Sequence, residues 1–303
     1  MDIYLPIAGQ SVNALLIILL GAVVGVLSGM FGVGGGFLTT PLLIFYGIPP
    51  PVAVASAATQ ITGASVAGVA VHLRRGGADL RMAAVMTVGG LFGSIAGAFV
   101  FRALQASGQI DLVIGLLYVV LLGWIGSLML RDAMVALGYI GKHAEAAGPT
   151  THTRWLSSLP MRWKFSASGL YISPIAPLVL GVGTGILTVL LGVGGGFIIV
   201  PAMIYLLGMP ARVVVGTSLA MILAVTAATT FIHSVTTHAV DIVLAGLLLI
   251  GGVFGAQYGA LLATRLKPDL LRLALAVLIL LVALRMFIGL FWHPDEIFTI
   301  APL

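Results

Sequence analysis

The sequence predicts an all-α polytopic membrane protein of two inverted-topology repeats, about five segments each, with a glycine-broken helix and a short half-helix in each repeat. Three observations carry this: the composition, an internal repeat, and where Lys and Arg fall. Of 303 residues, 60% are hydrophobic and 8% charged, where a soluble domain carries roughly 25% charge. Mean hydropathy is +1.19. Such a chain cannot cover its own surface in water and must use lipid as solvent, which excludes soluble enzymes, nucleic-acid modules and disordered proteins together. The net charge of +5 is then loop charge that orients helices, not a nucleic-acid footprint.

Apolar runs between charges and Gly/Pro punctuation place ten segments, at roughly 11–31, 36–46, 52–73, 81–101, 111–130, 171–191, 196–207, 212–233, 241–263 and 271–291. A helix needs about 20 residues to cross the hydrocarbon. Eight segments reach that length, whereas 36–46 and 196–207 do not, and both directly follow a glycine cluster. Asp2 is the only charge before the first run, and no basic n-region precedes it, so a cleaved signal peptide is not expected.

The chain repeats itself. Gly32-Val33-Gly34-Gly35-Gly36-Phe37 recurs as Gly192-Val193-Gly194-Gly195-Gly196-Phe197, and Pro41 matches Pro201 at the same offset of 160. After single insertions, Gly47-Ile48-Pro49 matches Gly208-Met209-Pro210, His72 matches His233, and Asp79 matches Asp241. Gly89-Gly90-Leu91-Phe92-Gly93 likewise matches Gly251-Gly252-Val253-Phe254-Gly255. Two homologous halves follow, 1–130 and 171–303, joined by a polar linker, 131–170.

Lys and Arg concentrate in cytoplasmic loops. Arg74, Arg75 and Arg81 mark one such loop, the linker holds Arg131, Lys142, Arg154, Arg162 and Lys164, and Arg212 and Arg265, Lys267 and Arg272 mark two more. Loop 234–241, which matches the basic Arg74–Arg81 loop, holds no Lys or Arg and falls outside. Homologous loops therefore face opposite sides, both termini come out extracytoplasmic, and the linker is cytoplasmic. Arg154-Trp155 and Arg162-Trp163-Lys164 would anchor it at the interface. Inverted repeats are a transporter signature, since similar halves that face opposite ways can alternate access to a central site. A gated anion channel is the alternative architecture.

The glycine clusters make poor helix, and a broken helix at membrane depth belongs where its backbone lines a cavity or is buried in protein. The free N–H groups and positive end of each following half-helix favour an anion. The candidate substrate contacts are thus Gly34, Gly35 and Gly36 in one half and Gly194, Gly195 and Gly196 in the other. Close packing or a tight turn is the competing reading of the same glycines. Hydroxyls and amides can donate to an oxyanion without adding charge. Half one offers Thr39, Ser56, Thr59 and Gln60, with Thr40, Thr62 and Ser65 nearby. Half two offers Thr217 and Ser218, with Thr226, Thr229 and Thr230. Many membrane Ser and Thr residues instead bond the preceding turn or a neighbouring helix. His72 and His233, matched in the repeat, are candidates for proton or substrate contact, or for an interfacial position.

All nine acidic residues lie in loops or at segment ends, so the midplane carries no carboxylate to repel an anion. With no cysteine, thiol catalysis and thiolate metal sites are excluded. No cofactor, metal or enzymatic motif is expected. The partners expected are a small anionic substrate and the bilayer, with no nucleic acid; a homodimer is left open.

Two copies of Gly-Val-Gly-Gly-Gly-Phe, each followed by a proline (Pro41, Pro201) and later by Ser or Thr and a His (Ser56 and His72; Thr217-Ser218 and His233), resemble the sulfite exporter TauE/SafE family over nearly the whole chain except the linker. The resemblance implies an inner-membrane carrier of sulfur-containing anions such as sulfite, sulfoacetate or related organosulfonates, usually acting in export. A carrier of another small organic anion is the neighbouring alternative.

Overall fold

A computed structural model describes residues 2–31, 36–74, 77–138, 162–263 and 268–291. Half one contains strands β1 (Asp2–Leu5) and β2 (Gln10–Asn13), then helices α1 (Ala14–Phe31), α2 (Gly36–Phe45), α3 (Pro50–Arg74), α4 (Leu80–Ala106) and α5 (Ile110–Ala136). Half two repeats the order with β3 (Trp163–Phe165), β4 (Leu170–Ile172), α6 (Ile175–Leu191), α7 (Gly196–Tyr205), α8 (Ala211–Thr236), α9 (Ile242–Ala263) and α10 (Pro268–Phe291). Each of the ten expected segments is a helix. Of the linker, α5 takes 131–136 and the second hairpin 163–172, while 139–161, with Arg154 and Trp155, lie outside the described residues.

The hairpins correct the sequence reading. Residues 11–13 and 171–172, expected to open membrane helices, are strands, so α1 and α6 shorten to 18 and 17 residues. The physical cause is local. Gly9 and Gly169 adopt φ of +67° and +70° in the two turns, a region that side-chain-bearing residues avoid. The pairs Leu5↔Gln10 and Phe165↔Leu170 close matching registers across them. Asn13 then starts α1, its Oδ1 accepting the N–H groups of Leu15 and Leu16 at 3.1 and 3.4 Å.

Among the described residues, five stretches are long and apolar enough to cross a bilayer unaided: Leu80–Ala106, Ile110–Ala136, Val213–Thr236, Ile242–Gly259 and Leu273–Leu290. Their outer faces display Phe92, Phe99, Trp124, Phe231, Phe254 and Leu281, an apolar surface suited to lipid rather than water.

The halves interlock instead of folding apart. Helix α1 packs on α9, α4 on α6, α3 on α8 and α5 on α10, so each of these pairs joins the two halves. Two of the seams are built from glycines four residues apart, which let backbones approach closely where lipid supplies no hydrophobic drive. On α1 they are Gly21, Gly25 and Gly29; on α6, Gly181 and Gly185. A Cβ at Gly25 would lie 2.4 Å from the Gly252 carbonyl oxygen, and one at Gly185 would lie 2.1 Å from that of Gly90. These contacts correspond under the sequence repeat. The largest buried cluster gathers Phe37, Phe101, Tyr118, Phe197 and Ile279 around the two short helices.

Candidate functional site

The second glycine cluster breaks the chain cleanly. Gly192, at φ +69°, caps α6 and donates its N–H to Thr188 O at 2.8 Å, and Gly194 and Gly195 follow at φ +70° and +75°. The break also presses on α3, since a Cβ at Gly192 would stand 2.4 Å from Val54 O. Helix α7 begins afresh at Gly196, its turn closed by the Ile198 and Ile199 N–H groups bonding Gly195 O. The first N–H groups of such a helix have no intrahelical acceptor and carry its positive end.

Helix α2 begins at Gly36, the repeat match of Gly196, and the two starts meet. Phe37 and Phe197, each the second residue of its half-helix, stack with ring centroids 4.4 Å apart and planes 8° from parallel. A Cβ at Gly36 would lie 3.0 Å from Val193 O and closer still to Ile61, whose side chain also reaches Gly194. The two half-helix starts therefore converge on one point, wedged by Ile61. Gly34 and Gly35 lie outside the described residues. Gly36, Gly194, Gly195 and Gly196 are at the convergence.

The polar candidates separate into groups. Thr59 and Thr62 on α3 face α8, with Thr59 Oγ1 at 3.3 Å from Thr230 Oγ1 and Thr62 Oγ1 at 2.9 Å from Thr226 Oγ1. Gln60, also buried, donates from Nε2 to Leu248 O at 3.5 Å, while its Oε1 has no partner among the described residues. Such an orphan acceptor is costly in a core and is worth explaining. Thr229 Oγ1 is orphaned likewise. Thr39 and Thr40 are fully buried on α2. Thr40 donates to Leu191 O at 3.1 Å, where Tyr118 donates as well. Tyr118, which sequence reasoning passed over, thus satisfies the C-terminal end of α6.

Ser56, Thr217 and Ser218 have structural partners. Ser56 Oγ accepts the Asp241 N–H at 3.3 Å, and Thr217 Oγ1 accepts the Asp79 N–H at 2.8 Å. Ser218 bonds back to Val215 O at 2.9 Å. The two aspartates are buried at helix starts, and each holds a hairpin turn. Asp79 accepts from Met82 N–H, Ser168 N–H and the Ser168 hydroxyl at 3.1, 3.0 and 2.8 Å. Asp241 accepts from Leu244 N–H and Ile7 N–H at 3.0 and 3.2 Å. Their matching sequence positions were the signal available; what they bind was not visible.

His233 is fully buried in the last turn of α8. Its Nε2 donates to Val189 O at 3.0 Å, Nδ1 lies 3.2 Å from Thr237 Oγ1, and the Phe101 ring meets it edge-on. His72 falls within α3, but its side chain lies outside the described residues.

The family model for the sulfite exporter TauE/SafE matches residues 17–286, from the first turn of α1 to late in α10. This chain belongs to the TauE/SafE family. Among its relatives, the probable membrane transporter protein YjnA of Bacillus subtilis is 30% identical over 271 residues, 89% of this chain and 98% of that protein. A probable membrane transporter protein of Xylella fastidiosa is 30% identical over 251 residues, 82% of this chain and 84% of its own. The probable membrane transporter protein YunE of Bacillus subtilis shares 24% over 281 residues, 88% and 94% of the two chains. No solved structure matches the chain. Membership and the apolar helices together make this an integral membrane protein and a transporter of the TauE/SafE type. The TauE/SafE match runs through both glycine clusters and both aspartate caps.

Proposed function

We propose that this TauE/SafE protein exports small sulfur-containing anions, of the sulfite, sulfoacetate and organosulfonate class, by alternating access around the point where α2 and α7 begin. The observation that carries the reading is the Phe37–Phe197 stack, which brings two positive half-helix ends together at a carboxylate-free centre. Thr59, Gln60 and Thr62 of α3 are the neutral polar groups of the proposal; in this conformation the two hydroxyls also bond Ala55 O and Ala58 O at 2.9 Å, so an anion would have to draw them from those back-bonds. Inverted topology is part of the proposal. It is supported by the antiparallel run of the repeat-matched helices α3 and α8, in which Thr59 meets Thr230 and Thr62 meets Thr226. With it go extracytoplasmic termini, a cytoplasmic linker and residence in the inner membrane.

The test is efflux of labelled sulfite and sulfoacetate from proteoliposomes, with unlabelled anion outside. Saturable counterflow is expected; flux that neither saturates nor exchanges would make the protein a channel, and no flux of either anion would overturn the substrate class. Gly195→Leu should abolish counterflow while the protein still elutes as a single folded species. A leucine at φ +75° costs about 1–2 kcal/mol and would crowd Thr184, 3.3 Å from the new Cβ.

A further inference from the structure

A cleft of ≈ 470 Å³ lies away from the convergence, where the ends of α2 and α10 meet the starts of α3 and α5. Its lining is apolar apart from two opposite charges, Asp111 on the first turn of α5 and Arg285 on α10. The Arg285 guanidinium lies over the Phe45 ring, 5.1 Å from its centroid. Its Nη1 is 3.4 Å from where a Gly289 Cβ would stand, so the side chain folds towards the C-terminal end of α10 across a position kept bare. Both charges therefore sit near the ends of membrane helices, with the Gly108 turn in the same lining and apolar walls from Leu112, Met286 and Leu290. Outside the cleft, α5 and α10 expose Leu116, Leu281, Leu284 and Ile288 to lipid.

We infer that this cleft holds one phospholipid with a zwitterionic, amine-bearing headgroup, that is, a phosphatidylethanolamine. The charges and the walls select that occupant in steps. A cation at interfacial depth attracts phosphate, and a guanidinium can bond two of its oxygens at once. A carboxylate in the same cleft repels an anionic headgroup but accepts from an ammonium. The apolar walls opening to lipid take acyl chain, so the occupant arrives from the bilayer. A trimethylated choline headgroup offers no N–H donor and fits less well. The inference does not rest on the transport reading.

The experiment reconstitutes the full chain in nanodiscs of equimolar phosphatidylethanolamine and phosphatidylglycerol with identical acyl chains. The protein is then extracted into mild detergent, and retained lipid is counted by native mass spectrometry. Wild type should retain one phosphatidylethanolamine in preference to phosphatidylglycerol by about tenfold, the effect of one good charge-assisted contact. Arg285→Ala should lose retained lipid of both kinds, and Asp111→Asn should keep a lipid but lose the preference. Gly289→Val keeps every charge and displaces the guanidinium, so it should behave like Arg285→Ala, with monodisperse elution showing each variant folded. Equal retention of the two lipids by wild type, or retention unchanged in Arg285→Ala and Gly289→Val, would overturn the assignment. Displacement of the lipid by millimolar phosphoethanolamine would overturn it too, since the cleft would then read a soluble zwitterion.

Discussion

The two halves of the molecule carry the same scaffold bonds but not the same centre. At the caps the likeness is close: Asp79 and Asp241 each start a helix, hold a hairpin turn, and give their N–H to a Ser or Thr of the opposite half's third helix. The copies differ by one donor, because Ser168 bonds Asp79 through both N–H and hydroxyl whereas Ile7 offers Asp241 only its N–H. Along α3 and α8 the likeness ends. Thr59, Gln60 and Thr62 correspond to Ala220, Met221 and Leu223. Bonds that hold the fold are duplicated, while polarity beside the meeting half-helices is uneven. A symmetric scaffold with an asymmetric centre is compatible with the proposed site for one small ligand.

The comparison can be broken most severely at the glycine seams, which both halves share. Gly185→Leu should leave no folded protein in fluorescence-detected size exclusion, and Gly25→Leu should do the same. In each case the new Cβ would fall within 2.5 Å of a backbone oxygen that cannot move alone, at 2.1 and 2.4 Å. Survival of one variant but not the other would show that the two seams differ in weight.

The caps should fail unequally. Asp79→Ala is expected to lower thermal stability more than Asp241→Ala, by about 1.5–3 kcal/mol, the worth of one hydrogen bond to a charged group. Equal losses would mean that the additional Ser168 contact contributes nothing. Ser168→Ala removes that same hydroxyl contact, so it should cost the same, about 1.5–3 kcal/mol, and bring the two caps to parity in thermal melts. Gln60→Met gives half one the residue of half two. It should keep or raise stability by about 1 kcal/mol, because it removes an orphan acceptor, and it should lose anion counterflow. Full counterflow in that variant would remove Gln60 from the site.

Much of this was legible in the chain. Composition dictated lipid as solvent, and letter-for-letter recurrence of the glycine motif dictated two halves. Four glycines in five residues dictated a break, because no helix tolerates them and the following run was too short to span. The glycine spacing at Gly21, Gly25 and Gly29 is equally present in the sequence, but it marks a close contact only once the partner helix α9 is known. The hairpins were not legible. Strands of three and four residues show no periodicity, and Gln10-Ser11-Val12-Asn13 adjoins an apolar run that reads as helix.

Ser56 and Thr217 show where sequence reasoning runs out. Their type and place in an apolar helix mark them as donors for something, and the sequence offers no means of naming the partner. In the fold the partners are backbone N–H groups 185 and 138 residues away. The same holds for Thr40 and Leu191, and for Phe37 and Phe197. Local propensity and composition determined that there would be helices, breaks and buried hydroxyls in lipid. Which helix face meets which was decided by packing across the halves, where glycine spacing sets the approach and a polar group without water bonds whatever that approach brings within reach.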